Sequence, residues 1–163
     1  GTDFGRIYSE INKLALIVPK GATIDEITVE TNIGISKDFN NFELRKALGS
    51  GNVVHAQRIC HYFSLHPRHH PIIVTLSTLH LFFMQLMQYH GLENHNPNHV
   101  SRVLGIRPFA VKEYQLAAKR YPMKSISFIL DKIRTADMNF KGLGVGSISE
   151  KDVLKQLIND IGG

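Results

Sequence analysis

NHVSRVLGIRPFAVKEYQLAAKR, residues Asn98 to Arg120, reads as a short helix, a tight turn at Gly105 and a longer basic helix entered through Pro108. Glycine breaks a helix because it adopts positive φ without strain. Proline is tolerated in a first helical turn, where its missing N–H is not needed. Gly105, Pro108 and Val111 are therefore the structural markers of this corner, and Val103, Leu104, Ile106 and Val111 are the residues expected to pack it. The layout serves two uses. A helix-turn-helix places its second helix against DNA, whereas a helical hairpin can serve packing alone.

The basic residues of the stretch are Arg102, Arg107, Lys112, Lys119 and Arg120. In a DNA reader they are the candidate nucleic-acid contacts. In a hairpin used for packing they are a solvated helix face. Spacing alone does not separate the two.

Outward from this corner the chain keeps a helical rhythm. Toward the N-terminus, Ile72–Tyr89 is a long apolar run that begins after Pro71 and ends at Gly91. It contains Thr75, Ser77, Thr78, His80, Gln85 and Gln88, which fits a central buried helix better than a membrane span of about 20 predominantly apolar residues. Phe82, Phe83, Met84 and Met87 make it apolar nearly all round, which points to core. Before it, Asn52 caps a helix to about Leu65, with Val53, Ala56, Ile59, Cys60 and Phe63 on one side. A further helix spans about Asn40–Leu48. Near the start, Phe4–Val18 places Ile7, Ile11, Leu14 and Val18 at helical spacing, and Thr23 with Glu26 forms a capping box for a short helix over Ile24–Asn32. Toward the C-terminus, Ser125–Lys141 carries the stripe Ile126, Ile129, Ile133, Ala136, Phe140. Ser147 or Ser149 opens a last helix with Val153, Leu154, Leu157, Ile158 and Ile161 inward. No segment alternates with period two as a half-buried strand would. The expected fold is all-α, a bundle of about eight helices.

The 163 residues are enough to bury a core without staples. One cysteine excludes an internal disulfide framework and fits a reducing cytosol. No signal-peptide pattern is present. The expected location is cytoplasmic. The net charge of +5 is uneven: residues 1–35 carry three Lys/Arg against five Asp/Glu, and residues 36–163 carry sixteen against nine. A basic excess attracts nucleic acid or an acidic partner.

Catalytic constellations are missing. Gly142–Gly146, GLGVG, lacks the lysine of a phosphate-binding loop and reads as a helix-ending loop. GxSxG and HExxH are absent. His66, His69 and His70 surround two prolines, and His95 and His99 straddle Pro97, so neither group presents the converging ligands that zinc needs. Cys60 sits on an apolar helix face as a small buried hydrophobe. No catalytic, cofactor-binding or metal-binding residue is expected.

Four stretches carry a resemblance that covers nearly the whole chain. They are INKLALIV at Ile11–Val18 with TIDEITVET at Thr23–Thr31, DFNNFELRKALGSGN at Asp38–Asn52, VSRVLGIRPFAVKEYQLAAKRYPMKSI at Val100–Ile126, and KIRTADMNFKGLG at Lys132–Gly144. In order and spacing they resemble the C-terminal part of the delta subunit of bacterial DNA polymerase III clamp loaders. The third resembles that family's LGI-x-P-[FY]-x-V-K signature, and the fourth its A-D-x-x-x-K-G helix ending. The resemblance implies two domains. Residues 1–37 correspond to the end of an AAA+-type lid domain, and residues 38–163 to a five- to six-helix collar. It also implies assembly, through the collar, with the ATPase subunits and the second non-ATPase subunit of the loader. The complete complex places the sliding clamp on primed DNA in the bacterial replisome. Delta-type subunits do not hydrolyse ATP, so no catalysis and no cofactor are implied for this chain, although the parent polymerase holoenzyme is a nucleotidyltransferase. The family's clamp-opening wedge lies in an N-terminal domain that these residues do not include, so no clamp contact is carried over.

Overall fold

The computed structural model describes residues 4–19, 21–22, 39–143 and 148–163. The protein is all-α: the described residues form eight α-helices and no strand. They divide into two compact units, Gly1–Asn40 and Asn41–Gly163. The boundary expected from the sequence lies between residues 37 and 38.

The first unit contributes α1, Phe4–Ile17. Leu14 is buried, whereas Ile11, expected on the same inward stripe, is exposed. The helix expected over 24–32 lies outside the described residues.

The second unit holds α2 (Asn41–Ser50), α3 (Val53–Leu65), α4 (Ile72–His90), α5 (Pro97–Leu104), α6 (Val111–Arg120), α7 (Met123–Phe140) and α8 (Glu150–Gly162). That is seven α-helices where five to six were expected. The shorter ones, such as the eight-residue α5, are below the length that is stable in isolation and depend on packing. Neighbours touch around a closed circuit, α2 on α3, α3 on α8, α8 on α7, α7 on α4, and α4 back on α2. The last helix thus returns to the second one of the unit. Against this circuit, α6 lies on α2 and α4, and α5 lies on α4.

Local chemistry sets the helix ends. Asn52 accepts the His55 amide at 3.1 Å to start α3. Asn96 accepts the Asn98 amide at 3.0 Å, with Pro97 at the first helical position of α5. Ser149, the second of two candidate serines, opens α8 by accepting the Asp152 amide at 3.2 Å. Such caps are each worth about 1 kcal/mol. The stripes contribute more. Val153, Leu154, Leu157, Ile158 and Ile161 of α8 are all buried, and each fully buried aliphatic side chain is worth about 1.5–3 kcal/mol.

Helix α4 departs from the central buried helix expected. One face is core: Leu76, Leu79, Phe82, Phe83 and Leu86 are buried. Ile73, Val74, Leu81 and Met84 are exposed on the other. An apolar composition all round does not require burial all round, and here α6, α7, α2 and α5 cover only part of its circumference.

Candidate protein-interaction surface

The corner between α5 and α6 is built by short-range and long-range bonds together. Gly105 adopts φ +64°, the left-handed conformation that ends α5. Beside it Ser101 closes the turn twice. Its carbonyl accepts the Ile106 amide at 3.1 Å, and its hydroxyl donates to Ile106 O at 2.6 Å. The chain then leaves Arg107 extended, makes a single 3-10 turn at Pro108–Ala110 and enters α6 at Val111. The sequence suggests one helix from Arg107 to Tyr121. The structure splits off its first turn as a 3-10 turn, in which the Ala110 amide donates to Arg107 O at 2.9 Å.

The inward side of α6 is Val111, Tyr114, Ala117 and Ala118, all buried. Tyr114 is wholly inaccessible, packs edge-on against Phe82 at 5.2 Å between ring centroids, and donates its hydroxyl to Gln85 Oε1 at 2.5 Å. Gln85 Nε2 donates to Leu104 O at 2.8 Å, so one amide on α4 holds the end of α5 and the middle of α6. Burial pushes the Tyr114 phenol up to about 12, opposed by the Arg45 charge and reinforced by Glu113. Arg45 of α2 donates to Glu113 Oε1 at 2.9 Å and lies over the rings of Phe42, Phe82 and Tyr114. Neither Gln85 nor Ser101 is singled out by sequence reasoning. A glutamine inside an apolar run and a serine inside a short helix are the only signals they leave.

The outward side differs in character. Phe109, Lys112, Leu116 and Lys119 follow at three- and four-residue spacing and form one stripe. Phe109 is 69% exposed and Leu116 53%. Arg102 and Val103 of α5, and Arg107 in the turn, are also exposed. Val103 is thereby corrected from packing residue to surface residue. Val100 and Leu104 fill the inward positions of α5, and Val103 falls on its opposite side. Leu104 and Val111 are buried as expected, and Ile106 is half-buried. Arg102, Arg107, Lys112 and Lys119 form no ion pair with any described residue. Glu113, the sole acid on α6, is turned inward to Arg45.

Arg120, grouped with these cations in the sequence, stands apart. Its guanidinium lies 5.6 Å from the Tyr121 ring centroid and over Gly51, where a Cβ would come within 2.6 Å of it. Tyr121 in turn donates to Leu48 O at 3.0 Å. Arg120 therefore packs the α2–α3 turn against the end of α6.

A second open feature is a groove of about 720 Å³ between α4 and α7. Ile73, Leu76, Met84 and Ile133 give it apolar walls, and Asp131, Arg134, Asp137 and Lys141 line its charged side.

Three of the histidines go into local packing. His66 Nδ1 lies 2.9 Å from Tyr62 O at the end of α3, and the His70 ring stacks on Phe63 at 4.4 Å. His95 contacts Tyr89, with Nε2 at 3.2 Å from Tyr89 O. Among the described residues no three His, Cys, Asp or Glu side chains gather as a metal site. Cys60 is buried, and burial pushes its thiol up to about 12, away from the thiolate a nucleophile requires. No family model, curated protein or solved structure matches this chain.

Proposed function

We propose that this chain is a non-catalytic assembly module of a replicative clamp loader, a collar-type bundle of the delta-subunit kind. Its role is to join the ATPase subunits and the second non-ATPase subunit, so that the complete machine places the sliding clamp on primed DNA. The four ordered stretches that resemble the family suggest it. The observation that carries the reading is the hairpin itself. Its second helix is clasped into the bundle through Tyr114, Gln85 and Arg45, and its outward stripe holds Phe109 and Leu116 in water, an exposed apolar pair of the kind protein partners cover. Size-exclusion chromatography of the chain with the cognate ATPase and non-ATPase subunits tests this. A joint peak is expected at micromolar concentration, and separate elution of the chain sinks the proposal.

The four cations, without an ion pair among the described residues, favour a second reading, a helix-turn-helix DNA reader. Such a reader leads with the N-terminal residues of its second helix. Here that end buries Ala110 and Val111 and leaves only Lys112 among its first three helical residues in solvent, beside the exposed Phe109. A DNA reader shows sequence preference and a steep salt dependence. Fluorescence anisotropy with duplex DNA distinguishes it: sequence-selective binding that is lost on substituting Arg102, Arg107 and Lys112 replaces the assembly reading.

A further inference from the structure

We infer that the stripe of Phe109, Lys112, Leu116 and Lys119, with the exposed Arg102 and Arg107 preceding it in the chain, docks an acidic protein helix that carries its own apolar stripe. The inference rests on the assembly reading and gives the partner's chemistry at this surface.

Three observations converge on that occupant. The first is shape. Side chains at three- and four-residue spacing make the ridge that a second helix receives in its groove, and Phe109 and Leu116 stand out from it with most of their surface in water. The second is charge. Arg102, Arg107, Lys112 and Lys119 are without an acidic partner among the described residues, and Glu113 is spent on Arg45. The same face on a second copy would set cation against cation, on a chain whose net charge is already +5. A complementary partner is acidic and different from this chain. The third is rigidity. The stripe is backed by the Tyr114–Gln85 and Arg45–Glu113 contacts, so little ordering is left to be done on binding. A DNA duplex satisfies the cations alone. It would bring phosphates and polar base edges against Phe109 and Leu116. The groove between α4 and α7 selects no partner by charge, because its two acids and two bases balance.

The test uses the chain with the cognate ATPase and second non-ATPase subunits, and a pair of variants at exposed positions. F109S/L116S removes the apolar element and keeps every charge. K112E/K119E reverses the charge and keeps the apolar element. Circular dichroism checks that both remain helical. Each variant is expected to weaken assembly about ten-fold or more. The K112E/K119E loss shrinks as salt is raised, because exposed charges are screened, and the F109S/L116S loss persists. If the wild-type chain joins the ring and both variants join equally well, the inference falls while the assembly reading stands. If F109S/L116S assembles normally and K112E/K119E loses only binding to a duplex DNA probe, the face is a DNA contact and the inference is overturned. If the wild-type chain itself fails to join, the assembly reading falls and takes this inference with it.

Discussion

Tyr114 and Gln85 are joined at 2.5 Å, hydroxyl to Oε1, and the same glutamine donates from Nε2 to Leu104 O at 2.8 Å. Leu104 O belongs to the last turn of α5, whose carbonyls have no partner within their own helix. Gln85 thus supplies a tertiary cap and a core bond at once. Gln85→Leu removes both and leaves a buried hydroxyl and a carbonyl unsatisfied, at a cost of about 1–3 kcal/mol. Tyr114→Phe removes only one side of one bond and costs about 1 kcal/mol. Because the two act as one unit, the double variant should be no less stable than Gln85→Leu alone. Urea titrations of the four proteins measure this, and a double variant that loses the sum of the single effects contradicts the coupling.

Two glycines that both end helices should respond oppositely to alanine. Gly105 adopts φ +64° and Gly91 φ −83°. Alanine at 105 must enter the left-handed region at a cost of about 1–2 kcal/mol. Asparagine there should cost less, since it tolerates that region. At Gly91 the backbone is already right-handed, and an added Cβ meets nothing closer than Gln88 O at 3.5 Å. Gly91→Ala should therefore be neutral or stabilise by up to about 1 kcal/mol, through a less flexible unfolded chain. Thermal melts that place the two alanine variants on the same side of wild type refute the distinction.

What was legible in the sequence was what is local. Pro97, Asn52 and Ser149 announce helix starts because a cap involves residues within three positions. The stripes of α7 and α8 announce their buried faces because period 3.6 is written in the chain. The corner at Gly105 was legible for the same reason. The Tyr114–Gln85 bond and the Arg45–Glu113 pair were not, since they join residues 29 and 68 positions apart. The outer face of α4 misled for a related reason. Ile73, Val74, Leu81 and Met84 are apolar, and composition cannot tell a side chain covered by a neighbouring helix from one that is left open. At the candidate surface, sequence placed Arg120 with Arg102, Arg107, Lys112 and Lys119. The contact that separates it is with Gly51, far away in the chain.

The tyrosines make alkaline stability informative. Burial raises Tyr114 to about 12, and burial also raises Tyr121 and Tyr89. An unfolded tyrosine ionises near about 10. Between those values the unfolded chain gives up phenolic protons that the folded chain retains, so it binds fewer protons and stability falls as pH rises. The contribution is intact below about pH 10 and is lost progressively toward about pH 12. Tyr114→Phe should lose less stability than wild type over that interval, although it starts lower at neutral pH. Urea midpoints at a series of alkaline pH values check the slope. Parallel lines for the two proteins would show that Tyr114 is not the group responsible.

Cys60 gives a direct probe of the contact between α3 and α8. Its thiol is 4% exposed, on the buried face of α3, and lies at a cleft where α8 brings Lys151 and Lys155. Burial disfavours the thiolate, and the thiol is raised from 9.0 to about 12. That shift leaves far less thiolate than in a free thiol, and the thiolate is the form that reacts. A disulfide reagent at mildly alkaline pH should therefore label the native protein slower than the denatured chain by orders of magnitude. Residual native labelling should track opening of the α3–α8 contact and so be suppressed by stabilising conditions. Substituting Leu154 or Ile158 with alanine removes buried contacts from α8, at about 2–5 kcal/mol each. Either variant should accelerate labelling by about ten-fold for each 1.4 kcal/mol lost. Native labelling as fast as denatured labelling would mean that α8 does not close over α3 in solution.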